Sequence, residues 1–295
     1  MAHTSAIDPS TTPQRTPPGT PHDPAATHPD LGIALVTGAC SGIGRALSEQ
    51  LAARGHELIL VSQRPHELSQ VAVELAERYG VRTHALVCDL ARPSAAEELF
   101  AAVGARDLHV DLLISNAGFF FFGEAVDAPV AQANAMLQLH VVTPSLLCTL
   151  FGRAMRDRRR GHILLVSSIS AFRDFPSISY YGSSKKYLRG FAACLRSELS
   201  VYGVNVTCLA PGATATALYD PRVVPVDLAK RVGVMMDADA VAKEGLLALF
   251  SRRAECIPGV LNYLLAHTAA ALPQAWIDAA RRHAPWLPYD PSSAR

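Results

Sequence analysis

From Gly32 onward the chain switches repeatedly between two hydrophobic patterns. Short apolar runs of strand length occur at Ile33–Thr37, Leu58–Ser62, Thr83–Cys88, Val110–Ser115, Ile163–Ser167 and Val204–Leu209. Between them lie stretches with apolar positions at helical spacing, near 43–54, 66–79, 94–104, 127–157 and 181–202. Apolar runs in a βαβα order predict a mostly parallel sheet covered by helices on both faces. The expected fold is therefore a single α/β domain with a doubly wound sheet. Such sheets bind ligands at the carboxyl edge of their strands, and each motif described below falls at a strand end or on the helix beside it.

Two regions depart from this rhythm. Residues 1–30 are rich in Pro, Thr, Ala and His and carry no apolar periodicity. They cannot bury enough surface to offset chain entropy, which predicts a disordered N-terminal tail. They hold no apolar core of a secretory signal, while transit-peptide and tag readings stay open. Residues 257–280 are apolar but broken by Pro258, Asn262, His267, Pro273 and Asp278. No uninterrupted run there approaches the ~20 residues of a spanning helix. Core or a substrate-pocket wall is expected, with peripheral membrane contact as the alternative. The domain is expected to cover 31–295, with 217–236 as a substrate lid and 257–295 as a C-terminal extension.

Composition narrows the classes of partner. Among 295 residues, 27 Lys and Arg nearly balance 26 Asp and Glu, which argues against nucleic acid as the main partner. The run Arg158-Arg159-Arg160 precedes a strand and reads as a solvated turn. Six cysteines form no Cys-x-x-Cys pair and several sit in apolar runs, as buried thiols of a reducing cytoplasm do. The histidines show no metal-binding spacing, and no metal is expected.

Candidate chemistry begins where the first strand runs into Gly38, Gly42 and Gly44 and then into an apolar helix. Alone, such a turn is equally a plain chain reversal. Between strand and helix, glycine allows close backbone approach, and the helix start offers N–H groups to a pyrophosphate. The spacing differs from Gly-x-Gly-x-x-Gly. The second strand ends Val61-Ser62-Gln63-Arg64, without the acid that takes a ribose 2′-hydroxyl in NAD sites. Arg64 suits a 2′-phosphate, so NADP(H) is expected in preference to NAD(H), although Gln63 stands where a second cation would be wanted. Asp89 reads either as an adenine contact or as a turn cap.

The second candidate is Tyr181 with Lys185 at i+4, preceded by Ser168 at a strand end. Reduction of a carbonyl leaves an alkoxide that needs a proton and nearby donors. A free phenol near pKa 10 is a poor catalyst at neutral pH, and an ammonium on the same helix face favours the phenolate. Tyr180 is a rival phenol, but its i+4 partner is Ser184.

These residues resemble the short-chain dehydrogenase/reductase family in its compact single-domain, Rossmann-type branch. The resemblance covers roughly 31–256 and rests on Thr37-Gly38-x-x-x-Gly42-x-Gly44, Asn116-Ala117-Gly118, Ser168, Tyr181-x-x-x-Lys185 and Pro211-Gly212-x-x-x-Thr216. It implies that Tyr181 is the general acid/base, that Ser168 orients the carbonyl, and that Lys185 binds the nicotinamide ribose and tunes Tyr181. Asn116 would hold the central strand and cofactor, and Thr216 the carboxamide. The implied cofactor set is Thr37, Gly38, Ser41, Gly42, Ile43, Gly44, Arg64, Asp89, Asn116, Ala117, Gly118, Tyr181, Lys185, Pro211, Gly212 and Thr216. The family also usually dimerises through helices corresponding to 127–157 and 181–202, so a homodimer or homotetramer is expected.

One position departs from the family. His140 stands where it usually has an asparagine that serves a water-linked proton relay to the lysine. In a continuous α-helix Pro144 would leave the carbonyl of residue 140 without its partner, free to hold the relay water. The imidazole would add a second proton route, so His140 joins the catalytic set, with a packed helix histidine as the alternative. Phe119–Phe122, Phe172 and Phe175 follow the Asn116 and Ser168 motifs and suit an apolar pocket or plain core. An apolar ketone, aldehyde or alcohol is expected, because an acidic metabolite would call for a dedicated cation. The rivals are a catalytically impaired nucleotide-binding sensor or scaffold, and a sugar-nucleotide epimerase or dehydratase, a group generally longer than this chain.

Overall fold

The computed structural model describes residues 31–215 and 235–283. The 1–30 tail, Thr216, positions 217–234 of the expected lid and positions 284–295 of the C-terminal extension lie outside the described residues.

Seven parallel strands form the main sheet: β1 (Ile33–Thr37), β2 (Glu57–Ser62), β3 (Thr83–Val87), β4 (Val110–Ser115), β5 (Gly161–Val166), β6 (Val204–Leu209) and β9 (Glu255–Cys256). Their spatial order is β3-β2-β1-β4-β5-β6-β9. The direction of winding reverses between β1 and β4, where a crevice opens at the carboxyl edge. Two short strands, β7 (Ala213–Ala215) and β8 (Met235–Asp237), pair separately beside that edge.

Side-chain alternation divides the core into two layers. Ala34 and Val36 of β1, with Leu58 and Leu60 of β2, pack under α1 (Gly42–Ala52), α2 (Pro65–Tyr79) and α7 (Ala238–Phe250). Leu35, Ile59 and Leu113 point the other way, under α3 (Ala95–Gly104), α5 (Thr143–Asp157) and α6 (Ser179–Ser200). Burial on both faces is why these strands read as unbroken apolar runs.

The stretch expected as one helix over 127–157 is corrected. It comprises α4 (Val130–Leu137), a π-helical turn over Gln138–Val142, and α5. In the wider turn the Thr143 N–H reaches the Gln138 carbonyl, five residues back. A proline inside a uniform α-helix would press its ring on the carbonyl four residues earlier, and the π turn just before Pro144 relieves that conflict. The helix is thus not continuous α through this point, while Pro144 still offers the carbonyl of residue 140 no N–H. By length and composition, Val130–Asp157 could cross a membrane. Here Met136, His140, Leu147, Phe151 and Met155 are buried within the fold.

The C-terminal extension forms α8 (Val260–Ala271) and α9 (Gln274–His283). Asn262, Ala266 and Ile277 are buried, whereas Val260, Tyr263, Leu264 and Trp276 are exposed, so only one side of this segment joins the core.

Candidate active site

The glycine turn is braced from β4. Asn116 donates its side-chain amide to the Thr37 carbonyl (3.0 Å), and the Thr37 hydroxyl accepts from the N–H groups of Asn116 (2.9 Å) and Ala117 (3.0 Å). These contacts tie the carboxyl ends of β1 and β4 together. Gly38 has φ +68°, and its carbonyl lies so near α1 that a Cβ on Gly44 would stand 2.2 Å from it. Glycine is required at both places, for backbone angle at one and close approach at the other. Ser41 precedes α1 without capping it, and its hydroxyl accepts from Arg64 instead (2.9 Å). The first turn of α1 thus keeps N–H groups without a side-chain cap beside a guanidinium, a donor set that fits a phosphate.

The second constellation lies across the same crevice. Ser168 ends the β5 segment in extended conformation and its Oγ accepts from the Ser170 N–H (3.2 Å). Tyr181 and Lys185 sit one turn apart on α6. Lys185 is buried, donates Nζ to the Val166 carbonyl (3.0 Å), and stands 5.6 Å from the Tyr181 ring centre. Burial pulls its ammonium down to about 8. It therefore remains mostly charged at neutral pH beside a phenol whose anion it favours. Ser167, which the motifs did not single out, fixes this turn by donating its hydroxyl to the Lys185 carbonyl (2.7 Å).

His140 lies beneath Tyr181 at 1% exposure. Its Nε2 meets the Phe119 N–H at 3.1 Å and its Nδ1 meets Ser184 Oγ at 3.1 Å. Ser184 in turn donates to the Tyr181 carbonyl (2.8 Å). Burial first, and then the Lys185 charge, hold the imidazole well below its ordinary pKa. Phe120 packs edge-on against the Tyr181 ring, 4.8 Å between centres. The Phe119–Phe122 stretch thus borders the phenol, while Phe122 and Phe175 are exposed. Phe172 lies under the Arg189 guanidinium (3.9 Å) and 5.7 Å from His267 of α8, which brings the C-terminal extension to the loop after Ser168.

One cleft of about 670 Å³ joins both ends. Of the expected residues, Gly38, Ser41, Gly42, Ile43, Arg64 and Asp89 line its cofactor end. Asn116, Ala117, Gly118, Pro211 and Gly212 line its middle, and Ser168, Tyr181, Lys185 and His140 its chemical end. Thr37 and Gly44 act from behind the wall, as braces. Asp89 does cap a turn, accepting from the Ala91 N–H at 3.0 Å, and it also faces the cleft. The sequence reading missed Thr214, which lines the wall and donates to the Gly212 carbonyl (3.1 Å).

Known proteins resemble this chain in sequence and fold. The short chain dehydrogenase family profile matches residues 32–223. Dehydrogenase/reductase SDR family member 7B of Bos taurus is 32% identical over 253 residues, covering 79% of this chain and 76% of its own. Inactive hydroxysteroid dehydrogenase-like protein 1 of Homo sapiens is 30% identical over 203 residues, 64% of this chain and 57% of its own. A short-chain dehydrogenase from Sphingobium yanoikuyae, solved in complex with NADPH, superposes with a TM-score of 0.70 at 27% identity, covering 85% of this chain and 94% of its own.

Proposed function

The chain belongs to the short-chain dehydrogenase family, and from that premise we propose that it is an NADP(H)-dependent oxidoreductase interconverting an apolar ketone or aldehyde and its alcohol. The observation that carries this reading is the convergence of Ser168, Tyr181 and Lys185 on the cleft that begins at the glycine turn.

When bound, NADP(H) supplies or accepts the hydride. The chain's own residues handle the rest. The Ser168 hydroxyl, at the end of a rigid strand, orients the carbonyl oxygen. Tyr181 gives its phenolic proton to the oxygen as negative charge develops there, and takes it back in the oxidative direction. Lys185, buried below the ring, stabilises the phenolate left behind. The Phe119–Phe122 stretch keeps water from one side of the site. Arg64 supports the phosphate preference, since it stands beside the α1 turn at the end of a strand with no carboxylate in 61–64.

The test is NADPH consumption, with NADH in parallel, against a panel of apolar ketones and aldehydes. Turnover is expected with NADPH and is expected to fall about 10²- to 10⁴-fold in Tyr181→Phe. Tight NADPH binding without turnover of any carbonyl would favour the sensor reading, which the inactive relative also illustrates.

The proposal extends to a homodimer or homotetramer, supported by exposed apolar side chains on α4 and α6, and to a cytoplasmic location, supported by six free thiols.

A further inference from the structure

His140 has an unambiguous hydrogen-bond pattern. The Phe119 backbone N–H can only donate, so Nε2, 3.1 Å away, must present its lone pair. Ser184 spends its one proton on the Tyr181 carbonyl, so its oxygen accepts from the other ring nitrogen. The ring is thereby fixed as the neutral tautomer with hydrogen on Nδ1, and both nitrogens are occupied. We propose that His140 is a positioning residue, a neutral clamp that fixes the aromatic wall beginning at Phe119 to the helix turn carrying Tyr181. This rests on the oxidoreductase reading above, and it replaces proton relay through the imidazole with alignment.

Three further observations carry it. The clamp joins the two surfaces whose spacing matters, because Phe120 of the same wall packs edge-on against the Tyr181 ring. A Cβ on Gly118 would stand 2.8 Å from His140 Nε2, so the Asn116-Ala117-Gly118 turn is shaped around this ring. An imidazole directs its two nitrogens to opposite sides, whereas both ends of an asparagine amide lie on a shorter branch. Asparagine at 140 cannot span from Phe119 to Ser184 while keeping both contacts. Among the described residues the one charge acting on the ring is Lys185 on α6, and the Tyr181 phenol is another titratable group against it. The stretch 116–119 brings none.

The first experiment needs no activity. Two-bond ¹H–¹⁵N spectra of the cofactor-free protein between pH 5.5 and 9, a range set about the ordinary histidine value, with the His140 signals assigned by their loss in His140→Gln, are expected to show the His140 ring locked with hydrogen on Nδ1. A His140 ring protonated on Nε2, or titrating near 6.5, would overturn the clamp. The second is kinetic. His140→Asn is expected to lower kcat/KM about 10- to 100-fold without shifting the pH profile, with partial recovery in His140→Gln. A turnover increase in His140→Asn, or an altered pH profile with unchanged KM, would overturn the proposal. Gly118→Ala should lose thermal stability with His140 present and lose less with His140→Ala, since one clash underlies both. Additive effects would count against it. The spectra and the stability cycle read the clamp even if no carbonyl is turned over, so its failure is distinguishable from failure of the oxidoreductase reading.

Discussion

Lys185 is where function and stability oppose one another most directly. Its ammonium is buried with one carbonyl for company, and burial lowers its pKa from 10.5 to about 8. Below pH 8 the folded protein carries an ammonium that the unfolded chain would hold more comfortably in water. Between about 8 and 10.5 the unfolded chain binds more protons than the folded one, so this group's contribution to stability rises with pH across that window. Lys185→Met is therefore expected to stabilise the cofactor-free protein at pH 7 by about 1–2 kcal/mol, after allowance for the lost Val166 hydrogen bond, while abolishing turnover. The gain should shrink toward pH 10. Thermal unfolding of both proteins at pH 7 and 9 checks it. Taking the difference cancels the opposite pull of Cys148, whose thiol burial pushes up to about 12. An equal loss of stability at both pH values would sink the argument. At this scale the sequence was informative about identity and silent about contact. Tyr181 and Lys185 lie one helical turn apart and can be paired by counting, but Phe119 and His140 are separated by 21 positions and meet only through the sheet.

Elements were legible in proportion to how fully they are buried. β1, β2 and β4 face helices on both sides and read as apolar runs, with strand boundaries one residue adrift at β2 and β3 and the start of β5 two residues early, at Gly161. The three-residue strands β7 and β8 leave no periodic signal, so the small sheet beside Thr214 was invisible. The π turn has no residue pattern of its own, and Pro144 was its only trace. The phosphate turn, by contrast, belongs to two elements whose junction the sequence does mark. Arg64 at the start of α2 reaches Ser41 at the start of α1, so one side chain links both helix N-termini. A 2′-phosphate there would compete for the guanidinium with the Ser41 hydroxyl and with exposed Glu67 at 3.7 Å. Arg64→Gln is expected to raise KM for NADPH about tenfold and to leave KM for NADH within about twofold, as the loss of one charge-assisted contact requires. Parallel titrations of the two cofactors decide it; equal losses with both would mean that Arg64 braces the turn and does not read the phosphate.

For the whole molecule, the proposed homodimer or homotetramer raises the question of which apolar surface another copy would cover. Leu137, Val142 and Tyr187 are about two-fifths exposed, and Ser145 on α5 hydrogen-bonds Tyr187 on α6 (3.0 Å), so these helices present one continuous face. That face backs the very elements carrying His140, Tyr181 and Lys185, so pairing through it would stiffen the site. The rival surface is α8 and α9, where Val260, Tyr263, Leu264 and Trp276 are more exposed and His267 of α8 meets Phe172 in the loop after Ser168. Closure of a stable assembly there would restrict entry to the cleft, whereas closure over α4–α6 leaves its mouth open. Leu137→Arg is accordingly expected to convert the assembly to monomer and to lower kcat, because a buried, unpaired guanidinium at a symmetric interface is repeated in both subunits. Tyr263→Arg should leave the assembly intact. Light scattering on the two variants separates the surfaces, and an assembly that survives Leu137→Arg but not Tyr263→Arg would reverse the assignment.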